Sequence, residues 1–137
     1  MTPEPYTDLI GIPFRHAGRL PGRGIDCFGV LIEVYRRQGI AIPDVFVTVE
    51  KDWAKAEAST NATEWVREHL SGWHRREHRA IGCTVALSRG HGVVDHAGVM
   101  VSESHFIHAL EKCGVVLSNI DRKPWCDYLV GYYDYRT

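Results

Sequence analysis

"GIDCFGVLIEVYRR", residues 24–37, sets one of the chain's four cysteines between an acid and a run of bulky apolar side chains. Cys27, Val30, Leu31, Val34 and Tyr35 recur at the spacing of an apolar stripe on an amphipathic helix. Asp26 stands where an N-cap belongs, and Gly39 where a helix stops. The stretch therefore predicts a helix whose first turn carries Cys27, with Glu33, Arg36 and Arg37 turned to solvent. Unpaired first-turn amides and the helix dipole favour an anion, so with an adjacent imidazolium such a thiol can titrate at ~3.5–7.5 instead of ~8.5. Free cysteine is also among the most buried residue types. Cys27 is either core filler or nucleophile, and the rest of the chain has to decide.

The histidines bear on that choice. His96 in "DHAGVMV" and His108 in "FIHAL" are embedded in strand-like text, whereas His16, His91 and His105 sit in turn-like text and read as solvent-exposed. His69, His74 and His78 have neither a matching cysteine pair nor an HExxH pattern, so no metal is expected. His96 and His108 have the same parity. On an antiparallel hairpin they share one sheet face if the connecting loop has an odd number of residues or a bulge intervenes. One imidazole can then take the thiol proton while the second orients the first. Cys83, Cys113 and Cys126 fall in strand or turn contexts and read as structural. With no CxxC pair, a disulfide framework is not expected.

The totals bound the alternatives. At 137 residues the chain is read as one domain, 1–137. Its net charge of −1 excludes a coat for nucleic acid or an anionic membrane. No segment approaches the roughly 18 apolar residues of a membrane span. The start, "MTPEPYTDLIGIPF", lacks the basic and apolar run of a signal peptide, so no export is expected. Residues 2–10 read as a short helix, followed by the loop "PFRHAGRLPGRG". The stretch 45–79 reads as polar and helical, with an Asn61/Glu64 capping box and a basic knot, "WHRREHR" (73–79), taken as a solvated loop. Trp53, Trp65 and Trp73 either pack a small helical subcore there or line one side of a groove, with packing favoured. After residue 82 come five strand-like runs, "CTVALS", "HAGVMV", "HFIHAL", "GVVLSNI" and "YLVGYYDY". Helix first and antiparallel sheet second make an α+β domain.

"GIDCFG", "DHAGVMV" and "FIHA", in that order and with twelve residues between the histidines, resemble the NlpC-type cell-wall endopeptidases, a papain-like family. The resemblance covers roughly residues 5–44 and 80–135 and leaves 45–79 as a helical insertion. It implies a nucleophile, Cys27, at the tip of a central helix packed on an antiparallel sheet. It also implies His96 as general base, His108 as the residue orienting it, and the Cys27 amide in the oxyanion hole. Phe28, the aromatic after the cysteine, resembles the phage-tail branch. Phe14 stands where the family usually has a tyrosine whose hydroxyl serves the oxyanion, and Gly82-Cys83 where Gly-Asp is common. Phe14, Asp26 and Phe28 thus belong to the expected site vicinity.

The reading is a thiol endopeptidase cutting peptidoglycan stem peptides of the D-glutamyl-diaminopimelate type, needing no cofactor. Its expected setting is a phage or prophage tail, or the bacterial cytoplasm before assembly, with other tail proteins as possible partners. The rival reading keeps the fold as a tail-assembly protein with weak or lost chemistry. A related acyltransferase is disfavoured because there the histidine precedes the cysteine, and transglutaminase-like chemistry because it uses an Asp where His108 stands.

Overall fold

Asp26 opens helix α1 as its position predicts. The computed structural model describes residues 6–43, 72–89 and 94–136, and in it α1 runs Cys27–Arg37. The Asp26 carboxylate accepts from the Gly29 N–H at 2.8 Å, from the Ala17 N–H at 3.0 Å and from Arg19 at 2.7 Å. A cap of this kind contributes about 0.5–2 kcal/mol. Here it also ties the preceding loop to the helix tip. Gly29 is required for that closeness, because a Cβ there would run into the Gly18 carbonyl oxygen. At the other end Gly39 adopts φ +82° and stops the helix.

Before α1 lie a 3-10 turn, Thr7–Leu9, where a short helix was expected, and a small ribbon of β1 (Arg19–Leu20) and β2 (Gly24–Ile25). The main sheet consists of β3 (Trp73–Arg76), β4 (Thr84–Leu87), β5 (His96–Met100), β6 (His105–Leu110), β7 (Gly114–Asn119) and β8 (Leu129–Tyr135). All neighbours are antiparallel, in the order β3-β8-β4-β5-β6-β7. A short helix, α2 (Trp125–Tyr128), precedes β8.

Alternation along the strands divides the apolar residues between two layers. Ala97, Val99, Ile107, Ala109 and Val115 face α1, whose Val30, Leu31, Val34 and Tyr35 are buried against them. Val85, Leu87, Met100 and Phe106 face the other way and are covered by Trp125, Tyr128 and Tyr132. Burying a large apolar side chain contributes roughly 1.5–3 kcal/mol, so both faces are held firmly. The α+β expectation and all five strand-like runs hold.

Three expectations are corrected. The polar stretch 45–79 is not helical at its end, since Trp73–Arg76 is a strand paired with Tyr132–Tyr135. It sits at the sheet edge, where His74 and Arg75 stay exposed while Trp73 turns in against Tyr35 and Tyr135. Edge strands tolerate such charge, which makes them resemble loops in sequence. Trp53, Trp65 and the Asn61 helix lie outside the described residues. Glu33 is buried, not solvated, because the Arg36 and Arg37 guanidiniums close over its carboxylate at 2.6 and 2.8 Å. His105 is half-buried as the first residue of β6. Among the described residues, no helix is long and apolar enough to cross a membrane.

Candidate active site

The β5–β6 hairpin settles the histidine geometry. Val99 pairs with Ile107 and Met100 with Phe106, and the ladder closes as the Val101 N–H donates to the His105 carbonyl. Residues 102–104 form the loop. Its odd length puts His96 and His108 on one face, and His96 Nε2 lies 2.8 Å from His108 Nδ1. Gly98, two residues after His96 on β5, lies across from His108, where a Cβ would meet Ile107 O at 2.6 Å, Phe106 Cδ2 at 2.7 Å and His108 Cβ at 3.0 Å. Phe106 and Trp125 then enclose the pair, with ring centroids 4.3 and 4.7 Å from that of His108.

Cys27 overhangs the beginning of β5. It is buried, and the backbone amides of Ala97 and Phe28 favour its thiolate. Cys27 and His96 line one cleft of about 220 Å³, together with Phe14, Asp26, His16, Arg89, Asp95 and Glu111. Phe28 is buried beside the cleft with the Arg19 guanidinium 5.6 Å from its ring centre. The structure thus brings Cys27, His96, Phe14 and Asp26 to one cleft, joins His108 through His96, and leaves Phe28 packed. His91 lies outside the described residues, among which no cluster of three His, Cys, Asp or Glu could hold a metal ion.

Electrostatics correct the expectation of an acidic thiol. Burial pushes Cys27 up to about 12, and the Asp26 carboxylate adds to this. The Ala97 and Phe28 amides and Arg89 pull the other way without prevailing. Burial also holds His96 well below the ordinary imidazole range, helped by His108 and Arg89, and takes His108 to about 3. The resting site is a neutral thiol beside two neutral imidazoles. Chemically it offers a sulfur nucleophile and a base whose Nε2 is already engaged, leaving Nδ1 for proton transfer.

Those buried neutral rings make the fold acid-labile. An unfolded imidazole binds a proton below ~6.5, whereas His108 in the fold resists until about 3. Stability from the pair is complete above pH ~6.5 and drains as pH falls through that window, by up to ~1.4 kcal/mol per pH unit per ring. The urea midpoint should fall between pH 7 and pH 4 more steeply than in a His96→Gln/His108→Gln variant. Equal slopes would show that the folded rings take up protons over the same pH range as the unfolded ones.

Sequence reading missed Ser118, Trp125, Arg89 and Asp95. Ser118 was within reach: the three residues between Leu110 and Gly114 carry the same parity argument to the next hairpin. The other three depend on long-range packing.

The structure is an α+β domain with a cysteine at a helix tip and a hydrogen-bonded pair of strand histidines. The chain belongs to the NlpC/P60 family, whose model matches residues 11–134. Solved structures of the same fold include a lipoprotein-like NLP/P60 family protein from Staphylococcus aureus, at 18% identity and TM-score 0.65, over 95% of this chain and 38% of that one. An NlpC/P60 family protein from Bacillus cereus matches at 21% identity and TM-score 0.63, over 98% and 42%. The NlpC/p60 domain of the peptidoglycan hydrolase SagA matches at 18% and 0.57, over 92% and 88%. The chain therefore spans about two fifths of the first two proteins. No curated protein sequence matches it.

Proposed function

We propose that this chain is a cysteine endopeptidase acting on peptidoglycan stem peptides at D-glutamyl-diaminopimelate type bonds, in a phage or prophage tail. The observation that carries the reading is the meeting of Cys27 and His96 in one cleft, with His108 hydrogen-bonded to His96 behind it. Family membership and the likeness to a domain of a peptidoglycan hydrolase support the substrate class. The aromatic Phe28 after the cysteine supports the tail setting.

In this reading Cys27 Sγ gives its proton to His96 Nδ1 as the sulfur attacks the peptide carbonyl carbon. The oxyanion that forms meets the Cys27 amide. Collapse breaks the C–N bond, His96 protonates the leaving amine, and an acyl-thioester remains. Water then gives a proton to His96 and attacks the thioester, releasing the acid and restoring the thiol. Digestion of purified walls from several bacteria, with mass spectrometry of released peptides, tests this reading.

A second reading, a tail-assembly protein with weak chemistry, is favoured by one feature. Phe14 lines the cleft with a ring that carries no hydroxyl. Phe14→Tyr should raise kcat with little change in KM, by up to the ~10²–10³ that one oxyanion donor supplies. An unchanged kcat in an active enzyme would assign that role to another donor in the cleft. If both forms were inert on every wall, the assembly reading would replace the peptidase.

A further inference from the structure

The hydrogen-bonded chain does not end at His108. Ser118 lies on β7 two residues beyond Val116, the partner of His108, and its Oγ is 2.8 Å from His108 Nε2. Phe106 and Trp125 pack against the His108 ring, and its two nitrogens are addressed by His96 and Ser118. Ser118 is half-buried, so its own O–H can turn to water while Oγ accepts.

A neutral imidazole has one N–H, so each contact in such a chain fixes the next. His96 can take the thiol proton only with Nδ1 bare, which puts its proton on Nε2, donated to His108 Nδ1. His108 must then carry its proton on Nε2 and needs an acceptor there. In the opposite arrangement His108 Nδ1–H donates to His96 Nε2. That places the His96 proton on Nδ1, where the base should be.

We propose that Ser118 is a positioning residue: by accepting from His108 Nε2 it holds both rings in the tautomers that leave His96 Nδ1 free for the Cys27 proton. The assignment rests on the thiol-peptidase reading for its catalytic consequence, but the tautomers can be observed without turnover. The neutrality of both buried rings agrees with it.

The test is ring-¹⁵N NMR of the full chain, paired with kinetics on a released stem peptide. Wild type should show protonated Nε2 and bare Nδ1 at both His96 and His108. Ser118→Thr, which keeps the hydroxyl, should preserve that signature and a kcat close to wild type. Ser118→Val, of similar shape without the hydroxyl, should lose the signature. Its kcat should fall by about 10- to 100-fold with KM little changed, below the ~10⁴ loss of a fully wrong tautomer. Ser118→Ala should behave like Ser118→Val, which guards against a folding defect from added bulk. Wild-type tautomers or wild-type kcat in Ser118→Val and Ser118→Ala would overturn the assignment. A wild type that cleaves no wall peptide yet shows Ser118-dependent tautomers would sink the peptidase reading and leave the assignment standing.

Discussion

Cys27→Ala is expected to bring peptide cleavage down to background, a loss on the order of 10⁶ in kcat, because no acyl-thioester can form without the sulfur. The size of the effect follows from the location of the thiol. It is buried at the first turn of α1, beside the beginning of β5. Alanine keeps the backbone and the Asp26 cap, so the melting temperature should stay near wild type while turnover disappears. Residual cleavage within tenfold of wild type would show that another group is the nucleophile. Cys83 is buried in the layer of Met100 and Phe106, and Cys113 and Cys126 are exposed and do not line the cleft, so none of them replaces it.

What could be read beforehand was whatever depends on short range. The Asp26 cap, the stripe from Cys27 to Tyr35 and the Gly39 stop are local, and α1 has those limits. Parity is also local, so two histidines and an odd loop were enough to predict a contact now seen at 2.8 Å. The acidity of the thiol was misread because it is a balance between a local term and a tertiary one. The helix tip favours the thiolate, but desolvation under the loop and sheet outweighs it. Glu33 went wrong for a similar reason. Its place on the polar side of the helix is local, but its burial depends on Arg37, which also reaches Asp8 at 2.8 Å. Trp73–Arg76 could not be recognised from its own letters, since only the pairing with β8 makes it a strand.

A raised thiol pKa also sets what the loss of His96 should do. With Cys27 near 12, only about 10⁻⁵ of the free thiol is ionised at pH 7, so attack depends on a base taking the proton as the bond forms. His96 lines the cleft with Cys27, and its Nε2 is committed to His108, leaving Nδ1 for that task. His96→Ala should therefore approach the nucleophile knockout, with kcat down by ~10⁴–10⁶, since members of a catalytic unit fail together. His108→Ala should be milder, because the base remains and only its orientation is lost. The two losses should also respond differently to pH. Without His96, hydroxide must supply the thiolate, so kcat/KM of His96→Ala should rise about tenfold per unit from pH 7 toward 10, following the fraction of ionised sulfur. His108→Ala, which keeps its base, should stay comparatively flat. A His96→Ala enzyme within tenfold of wild type at pH 7, or one indifferent to alkaline pH, would mean that the thiol loses its proton by a route that bypasses this ring.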